Sequence, residues 1–213
     1  MKRIFLASSV GVTAKAIADE IQKEFSADKK RLLFITTASE LKKQQDLGWQ
    51  NDDRKSLTNA GFEVTDWTIA GKSGDEIQQI IETFDVIHFN GGNVFYLLKQ
   101  LQLTNSIDIF RKAVESGKIY TGSSAGSMIA SPNILPAKTL DKIEDAKKLK
   151  DFSGMAIVDF LVMPHWGSSF QGKIFKRQAV GGLRRTRQDY SPAGFSICFG
   201  QRRSLQDSFR LAF

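Results

Sequence analysis

Short apolar runs alternate along the chain with segments whose apolar residues recur at helical spacing. Arg3 to Ser8 reads as a first strand, and Ala14 to Phe25 as a helix with an Ile17, Ile21, Phe25 stripe. Arg31 to Thr36 is a second buried run. A long polar segment, about 41–60, is predicted helical and closes at Gly61, a residue suited to the left-handed end of a helix. Phe62 to Ile69 alternates as a third strand. A helix near 74–83 precedes a fourth strand, Asp85 to Phe89, which runs into Asn90-Gly91-Gly92-Asn93. A helix carrying Val94, Leu97, Leu98 and Leu101 follows, then another at about 106–116. Strand–helix alternation of this kind predicts an α/β fold with a doubly wound, mostly parallel sheet. Binding sites in such sheets form beyond the carboxyl ends of the strands.

The next stretch, Lys118 to Met128, organises the rest. A β-branched and aromatic run leads into Gly122-Ser123-Ser124-Ala125-Gly126 and then into small, helix-compatible residues. This is the outline of a nucleophile elbow, in which a sharp turn lifts a serine off the sheet. Gly122 and Gly126 leave room for that turn, and the helix start aims free N–H groups at the place where an oxyanion would develop. A plain Gly/Ser-rich turn or a phosphate-binding turn has the same composition, so the pentapeptide alone leaves these readings open. The turns at 90–93 and 122–126 are expected on one sheet edge. An N–H at Gly92 would then join that of Ala125 as an oxyanion donor.

Beyond the elbow the pattern loosens. Residues 131–151 read as loop, Ala156 to Met163 as a strand ending at Pro164-His165-Trp166, about 170–186 as a basic helix, and 192–200 as one further strand. A serine nucleophile needs a base, and the chain has two histidines. His165 is expected at a strand end on the edge that carries Ser124, whereas His88 falls inside the fourth strand. His165 is therefore the predicted general base.

Composition narrows the setting. The chain has 213 residues, 41% hydrophobic and 25% charged, which fits a single globular domain over 1–213. No apolar run has the length of a membrane span, and the first residues lead directly into a strand rather than a signal peptide. The single cysteine, Cys198, suits a reducing compartment, so a cytoplasmic protein without membrane attachment is expected. The net charge of +7 comes entirely from residues 173–213, which hold nine Lys/Arg against Asp189 and Asp207. Without an aromatic-interleaved basic motif, a solvated basic segment is expected there and no nucleic-acid partner. No Cys/His cluster offers a zinc site, so no cofactor or metal is expected.

Three motifs, Phe89 to Leu98 around Asn90-Gly91-Gly92-Asn93, Gly122 to Ser127, and Met163-Pro164-His165-Trp166, occur in the order and spacing of the S51 serine peptidases. The chain resembles the peptidase E-like branch of that family, whose members include α-aspartyl dipeptidase and cyanophycinase, over about residues 1–178. The resemblance implies a flavodoxin-like, class I glutamine amidotransferase-like three-layer sandwich. It also implies a hydrolase that cleaves a small peptide or related amide, with Ser124 as nucleophile, His165 as base and the Gly92 and Ala125 N–H groups at the oxyanion hole. A homodimer is compatible with this. The alternative is a non-catalytic or nucleotide-binding module on the same fold. Two departures stand out. Residues 167–173 offer only Lys173 where aspartyl dipeptidases carry an arginine that grips an acidic side chain. Residues 191–200 hold no acid that could orient the base, which leaves Asp141, then Asp145 and Asp189, as substitutes for a third triad member.

Overall fold

Successive residues of a strand point to opposite faces, and in this protein both faces are apolar, as a sheet covered on both sides requires. The structure is a computed structural model that describes residues 2–24, 30–147 and 149–165. Its strands are β1 (Ile4–Ala7), β2 (Lys30–Ile35), β3 (Phe62–Trp67), β4 (Val86–Phe89) and β5 (Ile119–Ser123). They form one five-stranded sheet in the order β1-β5-β4-β2-β3, with every pair parallel.

One face carries Phe5, Leu32, Phe34, Val86 and Ile119. It packs on Ile17 and Ile21 of α1 (Ala14–Glu24) and Leu57 of α2 (Gly48–Asn59). The other face carries Leu33, Ile35, Ile87, Phe89 and Tyr120. It packs on α3 (Gly74–Glu82), α4 (Val94–Leu103), α5 (Ile107–Glu115) and the short α6 (Ala125–Met128). Phe25, the last residue of the expected α1 stripe, lies outside the described residues.

The register sets Ile35 beside Phe89 and Phe89 beside Gly122, so β2, β4 and β5 end at one level. Adjacent strands β2 and β4 then part company, since the chain after β2 leads to α2 on one face and that after β4 to α4 on the other. A crevice opens where such connections diverge.

Two expected elements differ. The helix expected over 41–60 begins only at Gly48. Just before it the chain is tied sideways, because the Glu40 carboxylate accepts the Tyr96 hydroxyl of α4 at 2.9 Å and also the Thr68 hydroxyl beyond β3. The strand expected over 156–163 does not form. Its backbone is used elsewhere: the N–H groups of Met155, Ala156, Ile157 and Val158 donate to the carbonyls of Ile129, Ser131 and Ala130 released at the end of α6. The apolar run is buried as an irregular segment, with Met155, Ile157, Val158 and Phe160 in the core. The helix and strand expected over 170–186 and 192–200, and the basic stretch 173–213, lie outside the described residues.

Candidate active site

β5 ends at Ser123 and α6 begins at Ala125, so Ser124 alone makes the turn between them. Its φ of 50° and ψ of −107° put a non-glycine residue in sparsely populated backbone space, a conformation that costs on the order of 1–3 kcal/mol unless the surroundings impose it. Here they do. A methyl on Gly126 would lie 1.8 Å from the Phe89 carbonyl oxygen, so only glycine lets α6 approach β4 this closely. The Ser127 Oγ lies 2.8 Å from the carbonyls of both Ala7 and Gly122, which share its one proton, and it accepts the Ala7 N–H at 3.0 Å. Tyr120 closes the arrangement with a 2.5 Å bond from its hydroxyl to the Gly126 carbonyl.

The ring of His165 meets this serine, with Nε2 lying 2.9 Å from Ser124 Oγ. Its backbone is also in the left-handed region, with φ 63°, and is fixed by a 3.0 Å bond from its N–H to Ser8 Oγ at the end of β1. Burial pushes the imidazole pKa below its ordinary value, so the ring is neutral and able to accept a proton near pH 7. His88 is fully buried within β4. Its Nδ1 is 2.8 Å from Thr121 Oγ1 and its ring stacks on Phe34 at 5.0 Å. Burial pushes its pKa down to about 3.

The 90–93 turn abuts the same serine, since a methyl on Gly91 would fall 3.4 Å from Ser124 Cβ. Gly92 has φ 138°, and a methyl there would lie 2.1 Å from the Ala38 carbonyl oxygen. That carbonyl accepts the Asn93 N–H at 2.7 Å, which draws the turn against the segment after β2. Ala125 is the first residue of α6, so its N–H has no acceptor within the helix.

Asp141 is placed at the N-terminus of α4, where its carboxylate accepts the Val94 N–H at 2.8 Å. Asn93 caps the same helix through the N–H groups of Phe95 and Tyr96, and it donates to the Lys142 carbonyl. The 141–142 segment thus braces the 90–93 turn, while the partner shown on the His165 ring is Ser124. Asp145 contributes backbone to a 3-10 turn, Ile143–Ala146, and Asp189 and Lys173 lie outside the described residues.

Three features were not anticipated from the sequence. Ser8 holds His165 by its backbone. Ser123 is buried and donates to Asp53 of α2 at 3.2 Å; the Asp53 carboxylate also accepts from Gly11 N–H and Ser9 Oγ. Trp49 of α2 stands against Gly91. Gln50, Asp53 and Leu57 are the buried residues of α2, and their helical spacing puts them on one inward face. Among the described residues no three His, Cys, Asp or Glu side chains are arranged to hold a metal ion, and no helix is long and apolar enough to cross a membrane.

The family model for peptidase family S51 matches residues 4–188. A peptidase of Pasteurella multocida, itself uncharacterized, is 32% identical over 168 residues, covering 78% of each chain. Peptidase E of Haemophilus influenzae is 41% identical over a shorter stretch of 81 residues, 38% of this chain and 37% of that one. Among solved structures, a Listeria monocytogenes protein provisionally designated peptidase E superposes with a TM-score of 0.74 at 30% identity, covering 83% of this chain and 85% of its own.

Proposed function

The chain belongs to peptidase family S51 and is a serine-type peptidase, and from that premise we propose that it cleaves small peptides or related amides through an acyl-enzyme on Ser124. The observation that carries the proposal is the 2.9 Å approach of His165 Nε2 to Ser124 Oγ at a strained strand-to-helix turn. As the carbonyl carbon is attacked, the Oγ proton passes to Nε2 and the carbonyl oxygen becomes an oxyanion facing the N–H groups of Gly92 and Ala125. Collapse of the adduct breaks the C–N bond, and His165 returns the proton to the departing amine. Water then enters, gives its proton to His165 and releases the acid, restoring Ser124. The two steps in which His165 takes a proton, from Ser124 and then from water, need a neutral imidazole, which the lowered pKa supplies. The resulting imidazolium gives that proton to the departing amine and then to Ser124 Oγ.

The third member of the triad is proposed as Asp141, a role that requires its carboxylate to exchange the Val94 N–H for the Nδ1 side of His165. A reducing, cytoplasmic setting is proposed from the single cysteine. The decisive experiment is labelling with a fluorophosphonate. The wild-type chain is expected to take up one equivalent and to lose dipeptide hydrolysis with it. Ser124→Ala is expected to take up none while unfolding at nearly the wild-type temperature. Equal labelling of Ser124→Ala would overturn the assignment.

A further inference from the structure

A large aromatic side chain that is left partly open to solvent beside a nucleophile needs an explanation, since burying it elsewhere would be favourable. Trp49 is 38% exposed. A methyl on Gly91 would sit 3.1 Å from Trp49 Cζ3 and 3.5 Å from Cη2, while lying 3.4 Å from Ser124 Cβ. The indole edge and the nucleophile therefore flank the same glycine, at the crevice where the connections after β2 and β4 diverge.

The helix that carries the indole is held in place. Its neighbour Gln50 is buried and accepts a 2.7 Å bond from Ser39 Oγ, which ties the first turn of α2 to the segment after β2. One turn further, Asp53 is fastened to Gly11, Ser9 and Ser123. With its inner face pinned at two points, α2 holds the backbone of Trp49 beside the crevice. Leu41, 48% exposed, belongs to the same connection between β2 and β3. The arginine of this helix, Arg54, is occupied: it bonds Asp66 and Asn51, and its guanidinium lies 5.6 Å from the centre of the Phe34 ring. Lys42, Lys43 and Lys55 are the exposed cations of that connection, and a lysine is a poor carboxylate clamp beside a flat apolar plate.

We propose that Trp49 is the specificity-determining residue of the substrate subsite, and that the site takes peptides with an apolar or aromatic side chain next to the scissile bond. This rests on Ser124 being the nucleophile. The indole edge fills the space over Gly91 itself, and the part of the ring left exposed is the surface a substrate side chain would meet. A flat or branched apolar group would gain contact there that glycine cannot make.

The test is hydrolysis of X-Ala and Ala-X dipeptides with X as Phe, Leu, Gly or Asp, by the wild-type chain and by Trp49→Ala and Trp49→Phe. The two series tell which side of the scissile bond meets the indole. In one of them wild-type kcat/KM is expected to favour Phe and Leu over Gly and Asp. Trp49→Ala is expected to shrink the Phe-to-Gly ratio about 10- to 100-fold, mainly through KM, and Trp49→Phe to restore most of it. A ratio unmoved by Trp49→Ala, or a wild-type preference for Asp, would overturn the subsite. Fluorophosphonate labelling separates the two levels. A wild-type chain that labels but shows no Trp49-dependent ratio loses only the subsite. A chain that does not label loses the serine assignment and the subsite together.

Discussion

His88 lies inside β4 with its ring on Phe34 and its Nδ1 on Thr121, whereas His165 comes over the sheet edge on an irregular segment and offers Nε2 to Ser124. Burial lowers the pKa of both rings. At His88 the burial is complete and the imidazole behaves as a core aromatic with one polar handle. At His165 it is partial, and the ring nitrogen faces a hydroxyl in a crevice. Neither residue type nor the direction of the pKa shift separates the core histidine from the one beside Ser124. What separates them is what the nitrogen faces and how the backbone is held. Only His165 has a left-handed φ, fixed by Ser8.

Exchanging each ring for a methyl group tests that contrast most strongly. His165→Ala is expected to lower kcat by about four to six orders of magnitude, the range between losing the acid behind a serine enzyme's base and losing the base itself, with KM and the unfolding temperature changing little. His88→Ala is expected to do the reverse. Kinetics of the folded fraction should stay near wild type, while stability falls by about 2–4 kcal/mol as a cavity opens and the Thr121 hydroxyl loses its partner. Steady-state kinetics and denaturant unfolding of the two variants check this. Reversed effects would mean that the wrong ring faces the chemistry.

Changing pH sharpens the contrast without altering the fold at neutrality. A histidine held at about 3 when folded but near its ordinary 6.5 when unfolded takes its proton first in the unfolded chain. His88 therefore contributes stability that is full above pH 6.5 and is lost as pH falls from there toward 3, at up to about 1.4 kcal/mol per unit. Unfolding free energy measured between pH 7 and 5 should decline in the wild-type chain and much less in His88→Phe, which keeps a ring to stack on Phe34. His165 acts on rate. Its lowered pKa should put the acid limb of kcat/KM below the 6.5 of an ordinary imidazole. An acid limb that moved in His88→Phe would tie the two histidines together and break the distinction.

Much of this was legible in the sequence because period and spacing carry it. The apolar runs at Leu32 to Ile35 and Val86 to Phe89 fixed buried parallel strands, and the glycines at 91, 92, 122 and 126 marked where backbone approaches backbone. Ser124, His165, Gly92 and Ala125 all lie at the crevice. The failures have one cause, tertiary bonding that local pattern does not encode. Residues 156–163 have the composition of a strand, yet their N–H groups meet the carbonyls at the end of α6. Residues 41–47 have helical composition, yet Glu40 is drawn to Tyr96 and Thr68. Trp49 was unreadable as a site residue because nothing in a polar helix announces which side chain will meet a glycine more than forty residues away.

The smallest expected effect concerns a buried acid on the same side of the sheet as His88. Asp53 is 5% exposed, and burial raises its carboxyl pKa above the ordinary 3.8 although Ser123, Gly11 and Ser9 all donate to it. A raised folded value means that the folded chain favours the protonated form. The stability Asp53 contributes is thus full below 3.8 and declines as pH rises through the folded value. An amide escapes that penalty. In Asp53→Asn the carbonyl can still accept the Gly11 N–H, and the amide group can donate to Ser123 Oγ, whose hydroxyl is free to rotate. We expect Asp53→Asn to stay within about 1 kcal/mol of wild type at pH 7 and to change kcat no more than a few-fold. Asp53→Ala should cost about 2–3 kcal/mol, because it strands three donors around one site. Unfolding curves and kinetics at pH 7 decide the matter. Were Asp53→Asn to lower kcat as far as His165→Ala, the polar group beneath Ser123 would belong to the catalytic machinery, and burial would no longer divide structural from chemical groups in this fold.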